Sequence, residues 1–487
     1  MNTQYNQLII GAGFAGICAA IKLKEAGFNN FIILERNSHL GGTWYDNSYP
    51  GAACDVESHL YSFSFEQNPD WSRQFSPQAE ILSYLERCAE RYGVNPYIQL
   101  NTRVVKVVFN ENTGLWQVTD AEGKTYTAQT VISCAGGLSQ PSLPDIKGIA
   151  DFKGEKFHSA QWHRNYKLDG KTIGIIGTGA SAIQIIPAIA PIVKELKVFQ
   201  RTPPWILPKP DKEIGNFRRG LYRSLPFTRR FYRWRLYWTH ELMAFGFTGN
   251  TWIMKLVTKV AKLFLNRSVK DETLRKKITP NYIIGCKRVL LSNEYYPALQ
   301  LPSVAVITDH IETINATGIK TTDGTQHNLD AIVFATGFQA AEGVIVFNVQ
   351  GRNGLNLNEA WRNGAEAYLG ISVAGFPNLF MVVGPNTGLG HSSMILMIEA
   401  QVHYIVEAVK LIKQQALKFV DVKTETQKTF NDNLQLKLGK TVWQSGGCVS
   451  WYQTKTGKNV TLWPGYTFTF MKQTKNFEPA KYELQKQ

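Results

Sequence analysis

Charged side chains at four places in this chain have the type and setting to do chemistry: Glu35, Asp55, Arg201 and the Lys287–Arg288 pair. Glu35 closes the apolar run FIIL, which follows the glycine-rich stretch GAGFAG. An acid at that place accepts hydrogen bonds from a ribose hydroxyl pair. Arg201 closes the run that follows a second glycine-rich stretch, GTGASAIQ. There a cation suits a ribose 2′-phosphate, for which a carboxylate has the wrong charge. Asp55 lies within GGTWYDNSYPGAACDVESHLYSFSF (41–65), a carboxylate among aromatic and apolar neighbours where its protonation becomes useful or costly. Lys287 and Arg288 stand side by side just ahead of an apolar run. His158, between the two glycine stretches, has the look of a general base, whereas His391 reads as a turn residue near a cofactor.

These side chains need elements to position them. Residues 7–16, QLIIGAGFAG, followed by ICAAIKLKEAG, predict a strand, a tight turn and a helix. Gly11, Gly13 and Gly16, with Phe14 and Ala15 between them, let backbone N–H groups come close to a pyrophosphate at a helix start. The same grammar returns once, in KTIGIIGTGASAIQIIPAIA. There Gly177, Thr178, Gly179, Ala180, Ser181, Ile183 and Gln184 form the turn and helix start, and Ala182 stands where a third glycine would be. The next strand ends in Gln200 and Arg201, so the second dinucleotide is expected to be NADP rather than NAD. The stretch 41–65 reads as a binding wall, with Gly42, Thr43 and Trp44 at its start and Trp44 and Tyr61 suited to packing on a flat ring system. Val104 opens a β-meander, where its backbone would meet an adenine.

Composition sets the frame. With 487 residues, 44% hydrophobic and 19% charged, the chain has the makings of a soluble protein of two to three domains. The six cysteines are scattered, with no C-x-x-C pair and no zinc spacing, so neither a disulfide framework nor a metal site is expected, and a reducing cytoplasm is the simplest home. The first residues enter a strand without a signal-like segment, and no apolar run reaches the ~18 residues a membrane span needs. The net charge of +15 suits phosphorylated cofactors, polyanions or anionic lipid equally. Between 216 and 269, helical patterns dense in arginine and aromatic residues predict a helical insert. It either covers the active site as a solvated layer, the favoured reading, or adds a peripheral contact with anionic membrane.

Together the motifs resemble the Baeyer–Villiger monooxygenases, class B flavoprotein monooxygenases, over nearly the whole chain. Phe152, Gly154, His158 and Trp162 in FKGEKFHSAQWH match the family fingerprint, which departs only at His163, where proline or aspartate is usual. Gly41, Gly42, Trp44, Tyr49, Pro50, Gly51 and Asp55 match a second family pattern in full. The resemblance implies an α/β fold with two Rossmann-like dinucleotide-binding domains of the glutathione-reductase-like type. Residues 1–150 would be the first part of the FAD-binding domain and 151–165 an inter-domain joint. Residues 166–335 would be the NADP-binding domain with an insert at 214–270, and 336–487 the second part of the FAD domain with a C-terminal segment. The implied activity is NADPH-driven conversion of a small-molecule ketone and O2 to an ester or lactone through a C4a-peroxyflavin. On this resemblance Arg288 is the catalytic arginine and Asp55 the aspartate on the flavin side. Arg201 and Lys287 read the 2′-phosphate, residues 177–183 hold the pyrophosphate, and Trp451 meets the nicotinamide cofactor. His158 and Trp162 are expected to orient the two domains. An N- or S-oxygenating flavin monooxygenase stays open as the alternative. A flavin disulfide reductase is disfavoured by the lack of a C-x-x-C pair. A cytoplasmic monomer with no nucleic-acid partner is expected.

Overall fold

The computed structural model describes residues 3–249, 251–339, 345–448 and 450–486. Two sheets organise it. The first has eight strands in the order Asn348–Gln350, Val104–Asn110, Leu115–Asp120, Thr125–Ser133, Thr3–Ile10, Phe31–Leu34 and Ile98–Gln99, with Leu379–Met381 also on Thr125–Ser133. Leu8, Ile9, Ile32 and Ile33 are buried without polar alternation, as expected for parallel strands covered on both faces. On the edge away from Thr3–Ile10, Thr125–Ser133 serves two further partners along its length. Its first half runs antiparallel to Leu115–Asp120, and its last residues run parallel to Leu379–Met381. The chain thus returns to its first sheet after building the second. The Phe14–Glu25 helix lies against the long Met394–Gln414 helix, both packed into the largest apolar core.

The second sheet is wholly parallel, in the order Val304–Ile307, Glu195–Phe199, Thr172–Ile176, Ala331–Phe334 and Glu155–His158. The chain leaves it after Phe199 and rejoins it at Val304, and the helices Asn216–Ser224, Pro226–Phe247 and Thr251–Ser268 lie in that excursion. Two extended segments connect the sheets side by side. Ser142 N–H donates to the Gly337 carbonyl at 2.9 Å, and Gln339 N–H to that of Gln140 at 3.0 Å. The stretch expected as a joint is largely part of the second sheet, because Glu155–His158 forms its edge strand. Phe152 and Ile176 lie in the same small core, and an added Cβ on Gly154 would strike the Asp330 carbonyl. Trp162 packs edge-on to Phe157 at 4.9 Å. His158 is buried against Phe338 and accepts from Ala160 N–H at 3.1 Å.

Candidate active site

The two glycine turns share one construction. Gly11 has φ of +104°, and a Cβ there would lie 2.6 Å from the Cys134 carbonyl oxygen; Gly177, at φ +111°, meets the Ala335 carbonyl in the same way. These first glycines are demanded by strand packing. The second glycines keep space open. A Cβ on Gly179 would touch nothing within 4 Å, and one on Gly13 would come only to 3.6 Å of Gly42 Cα. Gly13 is also the start of the Phe14–Glu25 helix, which no side chain caps, and its backbone lies close to that of Gly42. A diphosphate fits such a cradle by charge and by size. Gly16 and Ala182, at the third positions, are both buried and close the helix onto its strand.

Glu35 sits just beyond the strand Phe31–Leu34, buried, with one oxygen accepting from Ala12 N–H at 2.7 Å and the other from Asn37 N–H at 2.9 Å. Burial pushes its carboxyl up, and these two donors work against that rise. Backbone donors thus fix the carboxylate, with acceptor capacity left for hydroxyls. The preceding carbonyl network reaches the meander, since Thr102 N–H donates to the Glu35 carbonyl and Val104 begins the next strand, buried. In the aromatic wall, Trp44 Nε1 donates to the Tyr61 hydroxyl at 3.1 Å, and Tyr61 meets Phe14 edge-on at 5.4 Å. Ala15 is buried in the same core. Thr43 begins a single helical turn, Thr43–Asp46, after Gly42 at φ +54°.

Behind the second turn, Thr178 Oγ1 donates to the Thr202 carbonyl at 2.9 Å, and Gln200 Nε2 to that of Lys277 at 2.8 Å, so both side chains brace the strand end that carries Arg201. Arg201 is exposed. Lys287 is partly buried, and its ammonium is pushed down first by that burial and then by the charge of Arg201. Among the described residues neither cation forms an ion pair with an acid. Two like charges held together in this way make a seat for a dianion such as a phosphate.

Arg288 and Asp55, far apart in sequence, meet as a two-pronged ion pair. Nε donates to Oδ2 at 2.7 Å and Nη2 to Oδ1 at 2.8 Å. Asp55 raises the Arg288 guanidinium above its ordinary value against the effect of burial. Burial pushes the Asp55 carboxyl up, but the Arg288 charge overrides it and holds the group below the usual carboxylate range. Nη1 of Arg288 makes no hydrogen bond to the described residues, so one edge of a permanently charged fork is uncommitted. Tyr452, fully buried, lies within electrostatic reach of both members of the pair. Trp451 beside it is 43% exposed, packing on Tyr452 at 4.5 Å.

One expectation is overturned at this point. Cys286, next to Lys287, forms a disulfide with Cys448, 162 residues away in sequence. The spacing of the cysteines carries no sign of it, because only the tertiary fold brings the loop before Arg288 against the segment before Trp451. Gly446 permits the approach; a Cβ there would lie 2.6 Å from Cys286 Cβ. The other four cysteines are free and buried. Among the described residues no cluster of His, Cys, Asp or Glu has the arrangement of a metal site.

The 41–65 stretch also ties the two halves together. Tyr49 hydroxyl donates to Gln184 Oε1 at 2.9 Å, and Gln184 Nε2 to the Ala53 carbonyl at 2.9 Å. Gln184 and Ile183 belong to the helix Ala182–Ile189 of the second turn, whose start Ser181 and Ala180 provide. Arg164, just past the fingerprint, adds a bond from Nε to Ser48 Oγ at 2.9 Å. A single stretch therefore contributes Gly42 to the first cradle, Asp55 to the Arg288 pair and an anchor on the second helix. Sequence reasoning singled out neither Tyr49 nor Gln184 as a bridge, since a polar contact across 135 positions leaves no local signal.

A second polar cluster lies under the insert. His240 Nε2 is 2.7 Å from Glu57 Oε2, and Nδ1 is 2.5 Å from the His391 carbonyl oxygen. Burial would lower the His240 imidazolium, but Glu57 overrides it and raises the group above its ordinary value. Burial, then the His240 charge, pushes His391 down to about 3 and keeps it neutral. A raised value in the folded state means that the His240 contribution is full at acid pH and fades as pH rises through that value. Replacing His240 with glutamine is therefore expected to cost about 2 kcal/mol in urea unfolding at about pH 6 and much less at about pH 9. An equal loss at both would show that His240 acts by packing alone.

The chain matches the family described as pyridine nucleotide-disulphide oxidoreductase over residues 8–214. It is 47% identical to a Baeyer–Villiger monooxygenase of Pseudomonas aeruginosa, over 98% of this chain and 90% of that protein. The closed crystal structure of cyclohexanone monooxygenase superposes with a TM-score of 0.90 at 27% identity, covering 100% of both chains. The crystal structure of the OTEMO complex with FAD and NADP gives 0.88 at 26% identity, covering 99% of this chain and 100% of that one.

Proposed function

The chain belongs to the Baeyer–Villiger monooxygenases, and we propose that it consumes NADPH and O2 on bound FAD to convert a small-molecule ketone to an ester or lactone. The Arg288–Asp55 pair carries this reading, because it fixes a permanent positive charge on the stretch that joins the two dinucleotide turns. FAD supplies the redox chemistry and the activation of O2 when bound. The protein supplies placement. Gly13 and Gly42 would line the flavin diphosphate on the turn that Gly11 and Gly16 shape, Glu35 would take the ribose, Trp44 and Tyr61 would wall the ring, and Val104 would stand at the adenine end. The turn from Gly177 to Gln184 would hold the NADPH diphosphate, Arg201 and Lys287 would take the 2′-phosphate, and Trp451 would meet the nicotinamide cofactor. Arg288 would offer its free Nη1 to negative charge developing on the reacting oxygens, and Asp55 holds the guanidinium in place through its other edge. His158 and Trp162 hold the edge of the NADP domain in the orientation that lets both cofactors meet. This assigns residues 1–150 and 336–487 to the FAD domain and 166–335 to the NADP domain, with 151–165 added to the NADP domain through its edge strand. NADPH use suits a cytoplasmic setting, although the Cys286–Cys448 bond removes the cysteine argument for one.

FAD-loaded protein given NADPH, O2 and a panel of linear, cyclic and aryl ketones is expected to yield esters or lactones by mass spectrometry. NADPH oxidation with no ester from any ketone, together with oxygenation of amines or sulfides, would instead assign it to the N- or S-oxygenating branch. Arg201→Ala is expected to raise the Michaelis constant for NADPH roughly 10- to 100-fold, the worth of one charge-assisted contact, while that for NADH hardly moves. An unchanged preference for NADPH would remove Arg201 from the site.

A further inference from the structure

We propose that the outer faces of the helices Pro226–Phe247 and Thr251–Ser268 dock the enzyme on an anionic lipid bilayer surface. The first helix shows solvent a continuous aromatic and aliphatic face, while Leu236, Ala244 and Phe247 share its buried side with polar groups. Phe227, Phe231, Trp234, Trp238 and Leu242, spaced three and four apart and so on one face, are all exposed, with Phe231 at 63%, Trp234 at 56% and Leu242 at 76%. Its buried face holds Arg233, His240 and Glu241. Arg233 Nη1 donates there to the carbonyls of His59, Leu60 and Ser62, at 2.6, 3.2 and 3.0 Å, and Glu241 accepts from Thr467 N–H. Polar partners inside thus hold the aromatic face outward.

The second helix is divided into three. Met254, Ala261 and Leu265 point inward, Trp252, Leu256, Val260 and Leu263 are exposed along one stripe, and Lys255, Lys259 and Lys262 are exposed along the next. Aromatic and aliphatic residues beside a lysine stripe are the composition of a helix lying in a lipid interface. Between 214 and 270 the chain has one acid, Glu241, and it is buried, so the outward charge of this region is entirely positive.

That charge pattern selects the occupant. Exposed apolar faces of this extent mark interaction surfaces. Protein interfaces are depleted in lysine at their core, and a two-fold dimer through this face would set like charges against each other. A uniformly negative surface accepts both the lysine rows and the aromatic stripe. The inner faces of the same helices contribute Phe247 and Met254 to the core that contains Cys286 and Tyr452, so the lipid side and the Arg288 loop lie on opposite sides of one helical layer.

The test is flotation of the FAD-loaded enzyme with vesicles of phosphatidylcholine alone or mixed with phosphatidylglycerol. Flotation is expected with the mixed vesicles and not with phosphatidylcholine alone. Trp234→Ser with Leu242→Ser is expected to weaken it roughly tenfold or more, and Lys255→Glu, Lys259→Glu and Lys262→Glu roughly fivefold for each charge lost. The flavin spectrum and melting temperature of each variant check that it is folded, independently of any oxygenation assay. Failure to float with phosphatidylglycerol, variants that float like the parent, or a dimer in sedimentation that the Trp234 and Leu242 substitutions dissolve would each overturn the proposal.

Discussion

Replacing Arg288 with alanine is expected to stop ester formation while NADPH oxidation continues, its electrons ending in hydrogen peroxide. Arg288 is the charge that the proposed reaction uses, and its Nη1 is the free donor of a guanidinium whose other edge is clamped by Asp55. Loss of one preorganised donor at a developing anion typically costs about 100- to 1000-fold in rate. Nothing in the two glycine turns depends on Arg288, so cofactor binding should persist. Arg288→Lys keeps a charge but loses the fork, and should recover only part of the activity. The ion pair also has a stability signature. Because Asp55 titrates below the ordinary carboxylate range, its contribution is present above that range and is lost as pH falls through its folded value. The stability gap between parent and Arg288→Ala should therefore narrow on acidification. Peroxide release equal to that of the parent, with ester still formed, would show that the charge is not used.

The second large effect concerns the disulfide. Cys286 and Cys448 close a loop of 162 residues, and a chain-entropy treatment of so long a loop gives at most about 5 kcal/mol of stabilisation. The bond also pins the loop that carries Lys287 and Arg288 to the segment that carries Trp451 and Tyr452. Cys448→Ser, or reduction of the parent, is expected to lower the melting temperature by several degrees and to raise the share of NADPH lost to peroxide. A variant that melts within about 1 °C of the parent, with equal coupling, would assign the bond no role in either. Mass analysis of the alkylated protein before and after reduction reports the state of the two sulfurs directly.

What could be read in the sequence follows from the range of each interaction. The strand–glycine–helix units and the α/β class are legible because a pyrophosphate turn is written in a few consecutive residues, twice. The resemblance to a family fingerprint adds Arg288 and Asp55 as candidates, but not the two bonds between them, which span 233 positions. The disulfide and the Tyr49–Gln184 bridge are lost for the same reason: neither partner's neighbourhood hints at the other. The insert shows a different limit. Its arginines and aromatics are plain in the sequence, and ordinary hydrophobic patterning would turn the aromatic stripe inward. Only the carbonyls that receive Arg233 and the acid that receives His240 reveal that these two side chains are drawn inward and the aromatic stripe is left outside. His158 reads locally as a base, and in the fold it lies buried at the end of the edge strand with Nδ1 accepting from Ala160 N–H.

The most direct test of oxygen insertion is a single turnover series with 18O2. FAD-loaded protein, NADPH and a ketone under 18O2 should give an ester whose mass has risen by one labelled oxygen atom, the second atom leaving as water. Ester carrying no label, or ketone recovered intact while all consumed 18O2 appears as hydrogen peroxide, would contradict the account.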